Sequence, residues 1–149
     1  MAADPEKRKT FIQSCVDLCK QFGFHGVDLD WEYPAYFEGS SVADRENFAI
    51  LVTEMSAALH AEDLIFSGAV NCGFDKVETA YDVPAVMAAF DFVNLMSYDF
   101  HGYWDDGRWD HRNFTGHNSP LITRAEENNP DHPGYRCGDN ATHFDSAVG

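Results

Sequence analysis

The chain reads as an α/β fold built on a parallel sheet. Three observations predict it: helical and strand patterns alternate, the strands are short and apolar, and chemically loaded residues fall at strand C-termini. Asp4 followed by Pro5 marks a helix start. Phe11, Ile12, Cys15, Val16, Cys19 and Phe22 then recur at three- and four-residue steps until Gly23, which predicts helix over 5–21. "FHGVDLDW", residues 24–31, is the first strand, and Pro34 ends it by removing a backbone donor. Ser41 with Asp44 three residues on resembles a capping box, opening a second helix through Phe48, Leu51, Val52, Met55 and Leu59. "DLIFSGAV" (63–70) is the next strand, "DVPAVMAA" a short helix near 82–89, and "FDFVNLMSY" (90–98) the third strand. From His101 onward the chain is rich in Gly, Asp, Asn and Pro, which predicts a long loop. A parallel sheet is expected to be covered on both faces, and three strands alone would leave two unpaired edges. The chain therefore reads as part of a larger fold.

Composition narrows the function classes. A chain of 149 residues that is 44% hydrophobic and 14% aromatic can bury one core, as one domain or part of one. With 25 Asp and Glu against 10 Lys and Arg, the formal charge of −15 repels phosphate backbones and anionic lipid, so neither nucleic acid nor a membrane is an expected partner. The apolar stretches are far shorter than the roughly 20 residues of a membrane span. "MAADPEKRKT" carries no apolar run of the signal-peptide kind. Cys15, Cys19, Cys72 and Cys137 have neither zinc nor redox spacing and read as small apolar core residues. Asn113 and Asn140 sit in glycosylation triplets that would matter only in a secreted protein.

The stretch "FGFHGVDLDWEYP" (22–34) carries the chemistry. Strand side chains alternate faces, so Asp28, Asp30 and Glu32 share one face about 6.6 Å apart while Val27, Leu29 and Trp31 take the other. Three like charges on a half-buried strand cost free energy, and that expense points to a working site. A hard-cation site of the Mg²⁺ type is the bland alternative, although no further spaced ligand accompanies the three.

These residues resemble the D-G-x-D-x-D-x-E signature of glycoside hydrolase family 18, the chitinases. "NLMSYDFHGYWD" (94–105) is similar to the family's M-x-Y-D segment, and "TGHNSPL" (115–121) to the stretch beyond it in animal chitinases. "DPEKRKTFIQS" and "AYDVPAV" resemble the same animal group. The resemblance runs to Leu121 and implies a (β/α)8, or TIM, barrel. This chain would hold about strands four to six with their helices, and residues 122–149 would form a loop or the start of a subdomain. His25 stands where the family has Asp, but by strand parity it lies off the acidic face. The loop 105–114 is longer than is usual in the family.

The resemblance also implies roles. Glu32 would be the general acid/base, and the nucleophile would be the substrate's own N-acetyl oxygen, giving an oxazolinium intermediate and retained configuration. Asp30 would orient the acetamido N–H, and Asp28 would share a proton with Asp30. Tyr98 would donate its hydroxyl to the acetamido carbonyl, Met96 would pack the pocket wall, Asp99 would contact sugar hydroxyls, and Trp104 would stack on a sugar ring. Met96 and Tyr98 read as ordinary core without the resemblance, and Trp109 and Phe114 as loop packing. His101, His111, His117, His132 and His143 read as solvated or hydrogen-bonding residues. No metal and no cofactor is implied. The expected substrate is chitin or chito-oligosaccharide, in a secreted, monomeric parent protein. The rival from another class is a chitinase-like lectin that keeps the groove without the acid, against which the retained Glu32 counts. A third reading is that this length of chain is inactive by itself.

Overall fold

Asp4 is extended (φ −108°, ψ 116°), and its carboxylate accepts from the N–H groups of Glu6 and Lys7 at 3.0 and 3.2 Å. That closes the open first turn of α1 (Pro5–Phe22) and, through the Lys7 N–H above all, holds the Asp4 carboxyl below its usual range. Gly23, at φ 71°, ends the helix in the left-handed conformation that glycine adopts without steric cost. The structure is a computed structural model that describes residues 1–36, 39–102 and 116–121.

After α1 come β1 (Gly26–Asp30), α2 (Asp44–His60), β2 (Ile65–Asn71), α3 (Phe74–Ala80), α4 (Val83–Ala89) and β3 (Phe92–Met96). Each expected helix and strand is present, but the first and third strands are shorter than their apolar runs, so Tyr98 lies past the end of its strand rather than on it, and Glu32 lies two residues beyond the end of its own. α3 is an addition to the expected order. The second helix also starts differently: Ala43 is its N-cap and offers no side-chain bond. The half of the capping box that exists is the returning one, in which the Asp44 carboxylate accepts from the Ser41 N–H at 2.8 Å. That bond, with help from Asn47, holds the Asp44 carboxyl below its usual range.

The chain divides into two compact units, Met1–Asn71 with Lys76–Leu95, and Cys72–Asp75 with Met96–Gly149. The first holds the sheet, in the order β1-β2-β3, with β1 and β2 paired in parallel so that Gly26 faces Ile65 and Asp30 faces Ala69. Among the described residues, the sheet side chains that join the helical core, Val27 and Leu29 of β1 and Phe66 and Val70 of β2, share one face. One core joins Ile12 and Val16 of α1, Phe48, Leu51, Val52, Met55 and Leu59 of α2, Phe66 and Val70 of β2, and Val86 and Ala89 of α4. Each large apolar side chain buried this way contributes roughly 1.5–3 kcal/mol. Val27, Leu29 and Trp31 pack against this core from β1 and its end.

Arg8 ties α1 to α2. Its guanidinium, 6% exposed, donates to both carboxylate oxygens of Glu54 at 2.8 and 2.9 Å and to the Ala2 carbonyl at 2.8 Å. Hydrogen bonding to Arg8 holds the Glu54 carboxyl below its usual range. Of the cysteines, Cys19 is buried as expected, with its Sγ 3.4 Å from the Gly26 carbonyl, whereas Cys15 and Cys72 are half-buried thiols. No helix among the described residues is long and apolar enough to cross a membrane. Trp104, Trp109, Phe114, Cys137, Asn113, Asn140, His111, His132 and His143, together with the loop 105–114 and the segment 122–149, lie outside the described residues.

Candidate active site

The alternation along β1 sorts the residues as the sequence predicts. Val27, Leu29 and Trp31 are half-buried against the helical layer, and Asp28, Asp30 and Glu32 are exposed on the other side of the chain path. The strand is half-buried as expected, its burial confined to the apolar side. Among the described residues, the three carboxylates keep contact with solvent.

Asp28 is the most supported of the three. The parallel register sets it directly opposite Ser67 on β2, and its Oδ1 accepts from the Ser67 hydroxyl at 2.5 Å and from the Asn94 Nδ2 of β3 at 3.0 Å. One carboxylate oxygen thus receives a donor from each of the other two strands. Parity puts Asn94 on the Met96 and Tyr98 face, but the sequence marks neither it nor Ser67 as part of the site. Ser67 in particular stands inside an apolar run and has no signal of its own.

Two phenols border the acids. Burial, then the charges of Glu32 and Asp30, raises the Tyr33 phenol above its ordinary range. The Tyr81 phenol, 2% exposed, is pushed up to about 12, by burial first and then by Tyr33, Asp30 and Glu32, although it accepts the Asn71 N–H at 3.3 Å. A raised tyrosine pKa stabilises the fold below the unfolded value of about 10 and loses that contribution as pH climbs through the folded value. Stability of the full-length protein is therefore expected to fall by on the order of 2 kcal/mol between pH 10 and 12, and Tyr81→Phe to flatten that slope in denaturant melts. A slope unaltered by the substitution would place the alkaline loss elsewhere.

The second unit carries the remaining described candidates. Met96 is buried, and its carbonyl accepts the Cys72 thiol at 3.2 Å. Tyr98 is half exposed, and Asp99 comes next in a left-handed conformation at φ 59°. The segment after residue 115 folds back onto this turn. Asn118 Nδ2 donates to the Asp99 carboxylate at 2.9 Å, the Asn118 carbonyl accepts the Phe100 N–H at 3.0 Å, and the Ser119 hydroxyl donates to the Ser97 carbonyl. Gly116 permits the close approach, since a Cβ there would run into the ring of His101. His101 is buried, and His117 accepts the Ser119 N–H on Nδ1 at 3.0 Å. Among the described residues, no three His, Cys, Asp or Glu side chains are grouped so as to hold a metal ion.

Known proteins resemble this chain over the same residues. The family described as "Glycosyl hydrolases family 18" matches residues 1–143. A probable endochitinase of Caenorhabditis elegans is 38% identical over 133 residues, covering 85% of this chain and 20% of that protein. Chitotriosidase-1 of Mus musculus is 35% identical over 134 residues, covering 85% of this chain and 27% of that protein. Among solved structures, a mutant of catalytic domain 2 of the Ostrinia furnacalis Group II chitinase, in complex with penta-N-acetylchitooctaose, aligns with a TM-score of 0.80 and 30% identity. That alignment covers 99% of this chain and 35% of that one, so the chain spans between a fifth and about a third of the length of these relatives. The acids of β1, the chain beyond β3 and the segment folded over it all fall within the matched region, and the chain belongs to the glycosyl hydrolases of family 18.

Proposed function

We propose that this chain supplies about strands four to six, with their helices, of a (β/α)8 chitinase barrel, and that the complete barrel hydrolyses β-1,4-linked N-acetylglucosamine polymers with retention of configuration. Glu32 delivers a proton to the glycosidic oxygen as the bond to the anomeric carbon breaks, and the carbonyl oxygen of the substrate's N-acetyl group closes onto that carbon. Asp30 orients the acetamido N–H and balances the positive charge of the oxazolinium, and Asp28 shares a proton with Asp30. Water then opens the oxazolinium, with Glu32 taking the proton back. Holding an internal nucleophile against the reacting carbon is a proximity effect that can supply several kcal/mol of the barrier. Tyr98 donates to the acetamido carbonyl, Met96 forms part of the pocket wall, and Asp99 and Trp104 bind sugar.

The observation that carries this reading is the one-sided acid row. Asp28, Asp30 and Glu32 project away from the helical layer, while their apolar neighbours anchor the same strand in the core. The sugar ligand of the insect relative supports a chito-oligosaccharide as the substrate class. A secreted, monomeric parent protein belongs to the same proposal. Release of the fluorophore from a labelled chitobiose by the full-length protein tests it, and binding of the oligosaccharide without release would leave a lectin instead of an enzyme.

A further inference from the structure

We propose that Ser67 and Asn94 are positioning residues for this reaction, fixing the Asp28 carboxylate by one oxygen so that only its other oxygen can carry a proton. The inference rests on the chitinase reading above and adds two residues to it. Asp28 Oδ1 accepts both the Ser67 hydroxyl, at 2.5 Å, and the Asn94 amide, at 3.0 Å. An amide NH₂ can only donate, and the reverse amide orientation would set two acceptors against one another. Ser67 commits its single proton to the same oxygen. A carboxylate oxygen that accepts two donors is a poor seat for a proton, so a proton exchanged with a neighbouring acid is confined to Oδ2.

The scaffold around Ser67 is built to hold it. On one side of it, Phe66 is clamped by Asp91, whose carboxylate accepts the Phe66 N–H at 2.8 Å while its own N–H donates to the Phe66 carbonyl at 2.8 Å. On the other side, Gly68 lies so close to the Phe90 ring that a Cβ there would collide with it. With residues 66 and 68 both pinned, Ser67 has little freedom along the strand, and it is only 6% exposed. A hydroxyl held this way orients Asp28 without rearrangement at the moment of reaction, which is the form of support that costs the barrier least.

The test uses the full-length protein and labelled chitobiose. Ser67→Ala and Asn94→Ala are each expected to lower kcat roughly tenfold with KM within about twofold, the scale of one charge-assisted hydrogen bond. Because both act through a single carboxylate, the double variant should be little slower than the slower single one. Ser67→Thr, which keeps the hydroxyl, should retain most of the native kcat. Native kcat in both alanine variants, losses that multiply in the double variant, or a rise in KM alone would each overturn the proposal. Should Ser67→Ala not fold, Asn94→Ala carries the test alone, since Asn94 is exposed and its loss leaves the core intact. An inactive native protein would overturn the chitinase reading and this inference with it, whereas an active one with unaffected variants overturns this inference only.

Discussion

Glu32→Gln in the full-length protein is expected to cut turnover of chito-oligosaccharide by roughly 10²-fold or more while binding persists. Glutamine keeps the size and most of the hydrogen-bonding reach of glutamate but has no acidic proton to give. On the proposed mechanism binding energy would come from other sugar contacts, which the substitution leaves in place, so the loss should appear in kcat with KM nearly unchanged. Glu32 is exposed, while the neighbouring Trp31 and Pro34 pack inward, Pro34 fully, so the substitution removes no packing and stability should be unchanged within about 0.5 kcal/mol. A variant that turns over substrate at the native rate would remove Glu32 from the mechanism. One that loses binding along with turnover would make Glu32 a sugar ligand rather than a proton donor.

Parity along residues 26–32 was legible because one sheet face packs on the helical core, so Val27, Leu29 and Trp31 separate cleanly from the exposed Asp28, Asp30 and Glu32. Helices α1 and α2 were legible for the same reason, as apolar side chains at helical spacing that end up in one core. The features that escaped the sequence are non-local or short. Ser67 and Asn94 matter because they meet Asp28 across 39 and 66 residues of chain, and nothing near either position announces the partner. α3, with seven residues, is too short to show a period. The start of α2 misled for a different reason, since Ser41 and Asp44 have capping-box spacing but of the two reciprocal bonds it is the one from the Ser41 N–H to the Asp44 carboxylate that forms. Covering the sheet on both faces was expected of an open parallel sheet. In the barrel proposed for the complete protein, the second face would turn inward, and Asp28, Ser67 and Asn94 would line it.

Phe48→Ala is expected to cost about 3–5 kcal/mol of stability. Phe48 is 1% exposed and joins two aromatic neighbours, Trp31 edge-on at 5.9 Å and 77°, and Tyr81 at 5.6 Å and 59°. Truncation removes both ring contacts, each worth about 0.5–1.5 kcal/mol beyond its area, and leaves a cavity beside Leu51, Val52 and Met55 that packed helices cannot collapse to fill. The position also bears on chemistry, because Trp31 is the residue through which the chain just before Glu32 is anchored to the helical layer. Phe48→Leu, which refills most of the space, should cost less than half as much, and denaturant melts of the two variants in the full-length protein measure the difference. Below its melting range, Phe48→Ala should also show reduced kcat, since a loosened Trp31 lets the Glu32 carboxyl wander from the leaving oxygen, and misplacement on the order of 1 Å can cost 10²-fold. An alanine variant as stable as the leucine one would mean that the site rests on some other contact than the Trp31–Phe48–Tyr81 stack.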